Sequence, residues 1–508
     1  MTVLAKKLTR EILNFKPTQN YLEKVLQFGE GNFLRAFTDW MIHKLNQSGR
    51  LNGKVVVVQP IQHGLIDIIN EQQGLYTLIL RGIDNGSVVE DREIVTCISR
   101  GINPYDNWDD FLRCAENPNL RFIISNTTEA GITYYKEEFN EHKPLLSFPA
   151  KVLAFLYHRF KYFRGEPTKG MLIFPCELID NNGDQLKSII LRLVEAWHFP
   201  KEFVAWVNTH NHFFNTLVDR IVTGYPKDES EELEKQLGYK DRLLNVGEIF
   251  HLWVIEGDKK FSKELPLADI GMNVIWVDDL SPYRERKVRI LNGAHTMVVP
   301  VAYLCGLNTV KEAIDDVLVG KFVRAGIFNE ILPELQQLSE HEKVSFANSV
   351  IERFQNPFIQ HLLLDIALNS ISKFKTRCLP TLLDYIQHKK QIPHIMSFSL
   401  AAHIAFYRGE KVDENKLKVA CFNREYFLTD NADVLDFFCV LWKTSEKDLM
   451  TLVTKVFENI NFWGLDLNAF PGLNKSVYTY LKNIVTYGMV GALENILDQI
   501  ANCRVGYD

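Results

Sequence analysis

Dense apolar runs recur through the first third of the chain. Residues 54–59 read KVVVVQ, residues 121–126 read RFIISN and residues 170–175 read GMLIFP, all without the alternation expected of a half-exposed strand. Such runs are typical of parallel strands that are buried on both faces. The intervening stretches have helical spacing, as in residues 32–46, and strands that alternate with helices predict a doubly wound sheet. The dipeptide Asn85-Gly86 additionally predicts a hairpin turn.

The periodicity changes after about residue 280. Apolar residues then recur mostly at three- and four-residue spacing, as in residues 346–354, which is typical of helices. Ser281 followed by Pro282 is a helix-start signal, because the hydroxyl can cap the helix and proline fits its first turn. We therefore predict an α/β domain over residues 1–280 and a mostly α-helical domain over residues 281–508.

Composition and charge narrow the class of protein. The 508 residues are 46% hydrophobic and 24% charged, and 57 basic against 63 acidic residues give a net charge of −6. This balance argues against a nucleic-acid binder, which usually carries a basic stripe. There is no apolar run of about 18 residues, and the N-terminal stretch lacks the apolar core of a secretion signal. We expect a cytoplasmic location and no membrane contact; the oligomeric state stays open.

Cysteine and histidine spacing gives no sign of a metal site. The eight cysteines are widely scattered and form no CxxC pair: Cys97, Cys114, Cys176, Cys305, Cys378, Cys421, Cys439 and Cys503. They read as reduced, mostly buried thiols. His210 and His212 alone are spaced to share a metal, and no nearby cysteine completes such a site. We therefore expect no bound metal.

A glycine turn follows the first predicted strand, at residues 21–29. Gly29 and Gly31 allow a tight turn and a close approach of backbone N–H groups to a pyrophosphate. Ala36 stands one or two positions late for the third small residue of the dinucleotide fingerprint, and a bare Gly-x-Gly also occurs in plain βα turns. The cofactor-binding candidates in this turn are Phe28, Gly29, Glu30, Gly31, Asn32, Phe33, Leu34, Arg35 and Ala36.

Two further strand ends are candidate parts of a cofactor site. Residues 54–59 end in Gln59, where dinucleotide-binding folds usually place an acid that holds the ribose. A neutral amide there does not decide between NAD and NADP. Asn126 and Thr127 follow the strand at residues 121–126, and polar loops at the carboxyl ends of parallel strands bind ligands in open α/β sheets. An ordinary turn is the alternative for this loop.

Lys287, Asn292 and His295 are the candidate catalytic group. At about 100° per residue, His295 lies about 80° and Asn292 about 140° from Lys287 on an otherwise apolar helical side. A desolvated lysine has a lowered pKa and can act as a general base, and an amide N–H can stabilise an alkoxide. The alternative is a solvated lysine beside a satisfied core asparagine and histidine. The helix is expected to stop or kink by Pro300.

The K-x4-N-x2-H helix and the F-G-x-G-x-F-x-R-A turn together resemble the polyol-specific long-chain dehydrogenases, the mannitol dehydrogenase family. The stretches NTLVDRI at 215–221, EIFHLWVI at 248–255 and RFQNP at 353–357 agree with it. The resemblance implies a Rossmann-type dinucleotide-binding domain, a helical second domain, NAD(H), no metal and hydride transfer to or from a sugar-derived carbonyl. It makes Lys287 the general acid/base.

The chain departs from the family pattern where substrate should bind. The family motif C-D-N is replaced by Cys176-Glu177-Leu178, so the second oxyanion-hole asparagine is missing at position 178. Asn182 is a candidate replacement. Asp219, in a stretch shared with the family, is a further candidate for substrate binding. The family's substrate-binding lysine matches Lys373, whereas its arginine eight residues earlier is replaced here by Asp365.

These departures make a polyol the less favoured ligand and a sugar acid plausible. The candidate cations for its carboxylate are Lys373, which is best supported, then Lys375, Arg377 and Arg35. We predict an NAD-dependent oxidoreductase that acts on a keto sugar acid of hexuronate breakdown. Fructuronate reductase and mannitol or mannitol-phosphate dehydrogenase are alternatives. A catalytically silent nucleotide-binding protein is a further one, which the intact Lys287, Asn292 and His295 argue against.

Overall fold

The computed structural model describes residues 6–13, 21–128, 130–421 and 424–505, with side chains described to residue 501 in the last range. The chain divides into two compact units between Leu280 and Ser281. The first unit is α/β and the second is mainly helical, so the predicted fold class is confirmed. None of the helices in these ranges has the length and apolarity that crossing a bilayer requires.

A six-stranded parallel sheet forms the centre of the first unit. The described strands of this unit are β1 (Lys6–Lys7), β2 (Leu22–Phe28), β3 (Gly53–Val58), β4 (Tyr76–Asp84), β5 (Ser87–Val95), β6 (Ile98–Ile102), β7 (Phe122–Ser125), β8 (Leu172–Pro175), β9 (His212–Phe213), β10 (Asn215–Asp219), β11 (Val222–Gly224), β12 (Tyr239–Lys240), β13 (Asn245–Glu248), β14 (Leu252–Glu256) and β15 (Val274–Val277). The parallel sheet has the order β6-β3-β2-β7-β8-β9.

The strand order puts a topological switch point beside β2. The chain runs from β2 through β3 to β6 at one edge and then returns to β7 on the other side of β2. Read in chain order within this sheet, the arrangement is 3-2-1-4-5-6, the order of dinucleotide-binding sheets. Ligands bind such sheets outside the carboxyl ends of the strands at the switch point. The ends of β2, β3 and β7 are therefore where a site is expected.

Burial on both faces accounts for the valine run of β3. All six residues of β3 are buried. Val55 and Val57 belong to one hydrophobic cluster, and Val56 and Val58 belong to another. Successive strand side chains point to opposite faces, so a sheet covered on both sides needs an apolar residue at every position.

Smaller sheets complete the first unit. Their orders are β11-β13-β4-β5 and β10-β14-β15, and β1 pairs with β12. The strands β4 and β5 form an antiparallel hairpin in which Asp84 pairs with Ser87. Asn85 and Gly86 have φ angles of 49° and 76°, as the favoured two-residue hairpin turn requires. The predicted hairpin is confirmed.

The helix expected over residues 32–46 is interrupted. The helices of the first unit are α1 (Asn32–Ala36), α2 (Thr38–Gln47), α3 (Ile66–Glu71), α4 (Trp108–Cys114), α5 (Phe148–Tyr162), α6 (Asn182–Ala196), α7 (Lys201–His210) and α8 (Ser230–Leu237). Phe37 separates α1 from α2 with φ −125° and ψ −83°. Its ring is fully buried, 4.9 Å from the Phe33 ring and 5.8 Å from the Trp253 ring. Core packing thus overrides the continuous helical pattern.

The second unit is helical with one small sheet. Its helices are α9 (Ser281–Arg286), α10 (Gly293–Leu304), α11 (Val310–Asp315), α12 (Val317–Ala325), α13 (Glu340–Phe354), α14 (Leu363–Ile366), α15 (Ser370–Arg377), α16 (Leu379–Lys389), α17 (His394–Phe406), α18 (Ala432–Ser445), α19 (Leu449–Glu458), α20 (Ile460–Trp463) and α21 (Leu473–Val505). The antiparallel strands β16 (Gly409–Asp413), β17 (Lys416–Cys421) and β18 (Arg424–Thr429) were not anticipated. In β17 the buried Leu417 and Val419 have the two-residue period of a strand.

The helix that begins at Ser281 differs from a regular α-helix in two respects. A π-helical segment, Lys287–Asn292, connects α9 to α10. The helix does not stop at Pro300, because α10 continues to Leu304 with the proline inside it. Every residue of α10 is buried. Packing on all sides therefore holds the helix together although proline lacks an N–H.

Candidate functional site

The glycine turn joins three strand ends. Gly29 donates its N–H to the carbonyl of Val58 (3.0 Å), and Asn126 donates its N–H to the carbonyl of Phe28 (3.1 Å). Gly29 has a φ of 116°, and a Cβ at this position would lie 2.8 Å from the Asn126 carbonyl oxygen. A side chain here would therefore be strained and would push the loop after β7 away. This glycine is required by the chain's own packing.

Gly31 has a different reason to be glycine. Its φ of −67° suits any residue, and a Cβ there would meet no atom of the described residues within 4 Å. No steric contact within the described residues therefore excludes a side chain at position 31. Its absence leaves open space beside the backbone at the carboxyl end of β2, as a dinucleotide requires where its pyrophosphate approaches a βα turn. The residues of the turn thus fit the predicted cofactor.

Arg35 stabilises the glycine turn through hydrogen bonds. Its guanidinium donates to the carbonyl oxygens of Glu30 (3.2 Å) and Leu243 and to Asn32 Oδ1 (2.6 Å). The residue is only 2% exposed, and burial lowers the pKa of the guanidinium. Arg35 is one of the candidate cations for a substrate carboxylate. Its donors are directed at oxygens of the turn and of Leu243, so its contacts stabilise the shape of the turn.

Gln59 stabilises the loop that follows β3. Its side-chain amide donates to the carbonyls of Ile61 (2.9 Å) and Gln62 (3.1 Å), and the residue is 3% exposed. The two amide hydrogens are therefore occupied by the loop that follows β3. The donors of Gln59 thus shape this loop, and its contact with a cofactor stays a prediction.

A buried carboxylate organises the loop after β7. Glu177 accepts hydrogen bonds from Ser125 Oγ (3.0 Å), from Thr127 N (2.9 Å) and from Thr127 Oγ1 (2.9 Å). Burial raises the pKa of this carboxyl group, while the same hydrogen bonds oppose the rise. The side-chain amide of Asn126 donates to the carbonyl of Cys176 (2.7 Å). The motif marks Glu177 only as a departure from the family pattern; the sequence signal for its role is an acid close after a buried strand.

A cavity lies at the ends of β3 and β7. Its volume is about 310 Å³, and its lining residues are Pro60, Ile61, Thr127, Thr128, Ala130, Gly131, Tyr135, Leu146, Ser147 and Phe148. Ile61, Tyr135 and Leu146 are 61%, 52% and 71% exposed. Large apolar side chains exposed around one concave surface are typical of a ligand-binding pocket. Thr128 has a φ of 79°, a rare conformation for a β-branched residue and one found at ligand-binding turns.

In the second unit, two of the predicted catalytic residues lie at the ends of the π-helical segment. Lys287 is its first residue and Asn292 its last. A π-helix pairs residues five apart along the chain. Lys287 and Asn292 are therefore closer in direction than the about 140° expected from regular α-helical geometry. His295 follows in the first turn of α10.

Aromatic rings fix the orientation of His295. Its ring stacks on Phe354 at 4.3 Å with an interplanar angle of 24°, and it meets the His361 ring edge-on at 5.4 Å. His295 is 8% exposed. Burial lowers the pKa of His361, and the nearby Arg353 lowers it further. The neighbouring Asn292 is half-buried, and its side-chain amide makes no hydrogen bond to the described part of the chain, so its donors remain available.

Helix α15 approaches α10 closely at Gly293. A Cβ on Gly293 would lie 3.2 Å from the carbonyl oxygen of Arg377, and Cys378 Sγ contacts the Gly293 carbonyl at 3.4 Å. Arg377 donates to Thr296 Oγ1 at 3.4 Å, directly after His295 in the chain. Burial lowers the pKa of Arg377. The structure thus places this guanidinium beside the candidate catalytic helix.

The other two cations of α15 have different neighbours. Lys373 Nζ donates to the carbonyl of Ile366 (2.8 Å), and burial, with a smaller effect from Arg377, lowers its pKa. Lys375 Nζ is directed at the carbonyl of Asn461 (3.4 Å). Of these cations, Arg377 has a contact to the segment that carries His295.

Asn182 is the candidate replacement for the missing oxyanion-hole asparagine. Its amide nitrogen donates to the carbonyls of Pro175 (3.0 Å), Glu177 (3.1 Å) and Thr216 (3.2 Å), and the residue is 1% exposed. Main-chain carbonyls occupy these donors, and a contact of Asn182 with substrate stays a prediction. Asp219 lies buried at the end of β10. Among the described residues no cluster of three or more His, Cys, Asp or Glu could hold a metal.

Comparison with known proteins identifies the class. Residues 23–269 match the mannitol dehydrogenase Rossmann domain, and residues 279–485 match the mannitol dehydrogenase C-terminal domain. The chain belongs to the mannitol dehydrogenase family of oxidoreductases, as the sequence motifs predicted.

Relatives and solved structures agree with this assignment. The chain is 45% identical to the altronate oxidoreductase of Pectobacterium carotovorum subsp. carotovorum (strain PC1) over 94% of this chain and 98% of the relative. It is 45% identical to that of Bacillus subtilis (strain 168) over 95% of this chain and 97% of the relative. Its fold is similar to that of a substrate-free D-sorbitol dehydrogenase, with TM-score 0.77, 21% identity and 94% and 96% of the two chains covered. Pseudomonas fluorescens mannitol 2-dehydrogenase in a ternary complex with NAD and D-mannitol gives TM-score 0.63 at 20% identity, covering 95% and 96%.

Proposed function

We propose that this chain is an NAD-dependent oxidoreductase that interconverts D-altronate and D-tagaturonate. The relatives named altronate oxidoreductase, at 45% identity over nearly the whole chain, support the substrate pair. The observation that carries the chemistry is the position of Lys287 and Asn292 at the two ends of one π-helical segment, followed in the chain by the oriented ring of His295.

Residues 1–280 are assigned to cofactor binding. The turn from Phe28 to Ala36 would hold the pyrophosphate, with Gly31 giving it access to the backbone. The loop carrying Asn126 and Thr127, held by Glu177, would flank it. The apolar cavity beside Ile61 suits the flat adenine ring. When bound, the reduced nicotinamide supplies the hydride for the ketone carbon.

Residues 281–508 are assigned to substrate binding and proton transfer. In reduction, the Lys287 ammonium donates a proton to the oxygen of the forming alkoxide, and in oxidation the neutral amine accepts it. The Asn292 amide N–H donates to the same oxygen while charge develops on it. His295, held between Phe354 and His361, orients substrate hydroxyl groups.

A sugar acid requires a cation near the catalytic helix. Arg377 offers a planar guanidinium that can bind a carboxylate with two parallel hydrogen bonds, and its contact with Thr296 supports this role. Lys373 lies one helical turn earlier on α15 and could add a second positive charge. We also assign the cytoplasm as the compartment. The seven cysteines whose side chains are described are all free, which suits a reducing environment.

A substrate panel tests the proposal. The purified chain is mixed with NADH or NADPH and with tagaturonate, fructuronate, fructose or fructose 6-phosphate, and loss of nicotinamide absorbance is followed. We expect the highest kcat/KM with NADH and tagaturonate. A higher value with fructuronate would make the chain a fructuronate reductase. Absence of turnover with all four ketones would favour a catalytically silent nucleotide-binding protein.

A further inference from the structure

A buried lysine lies behind the cavity at the ends of β3 and β7. Lys151, in the first turn of α5, has no exposed surface. Its Nζ donates to the carbonyl oxygens of Leu146 (2.7 Å) and Pro60 (3.2 Å) and to the hydroxyl of Tyr105 (3.0 Å). Three acceptors match the three hydrogens of an ammonium group. Burial of a lysine is costly unless it is fully paired in this way.

The two carbonyls belong to two chain segments of the cavity lining, which we call its two sides. Pro60 belongs to the loop after β3, and Leu146 belongs to the segment before α5, and both residues line the cavity. The Tyr105 hydroxyl lies 3.4 Å from each of the same two carbonyl oxygens. The ammonium nitrogen is 4.8 Å from the centre of the Tyr105 ring. Lys151 and Tyr105 therefore join the two sides, and we call this pair the Lys151–Tyr105 clamp.

A second polar group fixes the Leu146 side. The carboxylate of Glu137 accepts from the backbone N–H groups of Leu146 (2.7 Å) and Ser147 (3.1 Å). The side chains of Leu146 and Ile61 are largely exposed, so they gain little from core packing. Loops of this kind depend on polar contacts for their position. The clamp is thus well placed to set the separation between the two sides.

We propose that Lys151 and Tyr105 are positioning residues that preorganise this cavity for the adenosine end of the dinucleotide. They set the affinity for NADH and do not take part in hydride transfer. A preorganised pocket binds more tightly because the ligand need not order it. The inference rests on the proposed function, since it takes NADH as the occupant.

The clamp also links NADH affinity to pH. Burial lowers the pKa of Lys151 to about 8, and the negative charge of Glu137 opposes this effect. Burial raises the pKa of Tyr105, so its hydroxyl keeps its proton over this range. Deprotonation removes the positive charge that strengthens the hydrogen bonds from Nζ to the two carbonyl oxygens. The clamp therefore weakens as the pH rises through about 8, and NADH affinity falls with it.

The test compares three variants of the full-length chain. Lys151→Met removes the ammonium and keeps the length of the side chain, and Tyr105→Phe removes only the hydroxyl. Arg159→Met is the matched control on the same helix. Arg159 is also buried and donates to main-chain carbonyls, those of Ala115, Leu120 and Lys169 among them, none of which lines the cavity.

NADH binding is measured by fluorescence titration from pH 6.5 to 9.5, together with KM and kcat for tagaturonate reduction. We expect Lys151→Met to raise the Kd and KM for NADH about ten-fold, equivalent to ~1.4 kcal/mol, with kcat retained at saturating NADH. Tyr105→Phe should raise Kd in the same direction, and Arg159→Met should leave it unchanged. The rise in Kd above pH 8 should disappear in Lys151→Met.

Each result decides something different. Wild-type affinity and a wild-type pH profile in folded Lys151→Met would overturn the inference while leaving the proposed function intact. If that variant does not fold, an unchanged Kd in Tyr105→Phe together with a flat wild-type profile would overturn it equally. A wild-type chain that binds no NADH would refute the proposed cofactor, and the inference with it.

Discussion

The guanidinium of Arg377 lies 3.4 Å from Thr296 Oγ1, the residue after His295. The two helices are close at Gly293, where a Cβ would lie 3.2 Å from the Arg377 carbonyl oxygen. The two helices thus bring a planar cation to the segment that carries the candidate catalytic residues. A carboxylate on the substrate would find a partner of matching geometry there.

Replacing Arg377 should therefore weaken sugar-acid binding selectively. For Arg377→Met we expect the KM for tagaturonate to rise about 10–100-fold, as loss of a hydrogen-bonded ion pair gives, while the Kd for NADH stays unchanged. The matched control is Lys375→Met, because Lys375 points to Asn461 instead. Steady-state kinetics with tagaturonate measures both. Equal effects of the two substitutions would exclude a specific role for Arg377.

Lys287→Ala tests the proton donor. Without it, kcat should fall by about 10²–10⁴-fold, the usual contribution of a general acid, and NADH should still bind with wild-type affinity. Arg289→Met is the control on the same segment, since Arg289 pairs with Glu285 at 2.7 Å; its kcat should stay close to wild type. Near-normal turnover in Lys287→Ala would remove this residue from the mechanism.

Asn292→Ala tests stabilisation of the developing alkoxide. We expect kcat to fall about 10²–10³-fold, as for loss of one oxyanion-stabilising donor, with a smaller change in the KM for tagaturonate. Pre-steady-state measurement of NADH oxidation reports the chemical step directly. A variant that changes KM alone would show that Asn292 binds the substrate but does not stabilise the charge.

Glu177→Gln should loosen the loop that carries Asn126 and Thr127. The amide keeps one acceptor oxygen and introduces a donor opposite Ser125 or Thr127, where hydrogen bonds are accepted now. We expect weaker NADH binding, by about ten-fold. Glu264→Gln is the control, because Glu264 pairs with Arg121 at 2.6 Å on a partly exposed surface. Unchanged NADH binding in both variants would contradict the assigned role of Glu177.

Lys151 provides a test in which stability and affinity change in opposite directions. Its pKa is about 8 in the folded chain and 10.5 in the reference state. Between these values the unfolded chain binds more protons, so the free energy of unfolding contributed by this group rises with pH. NADH affinity should fall over the same range. Urea unfolding and NADH titration of wild type and Lys151→Met measure both, and parallel changes would indicate a purely structural lysine.

Several features of this protein follow from local pattern alone. The valine run of β3, the Asn85-Gly86 hairpin and the change to helical spacing after residue 280 each depend on residues close in sequence. The same holds for the motif around Lys287, which pointed to the correct family. Such signals survive because both faces of a buried strand need apolar residues and a two-residue turn needs positive φ angles.

Tertiary structure decided which side chains are free to act. Some side chains have hydrogen-bond donors suited to a ligand but donate them to carbonyls or to an amide oxygen of their own unit, as in Gln59, Arg35 and Asn182. Of the candidate cations on α15, Arg377 contacts the segment after His295, where the two helices approach closely at Gly293. Hydrogen-bond partners far apart in sequence, and the burial that makes them necessary, exist only once the chain has folded. Residue type and spacing therefore determined which functional groups the chain contains. Packing determined which of these groups are available to bind a ligand or to react.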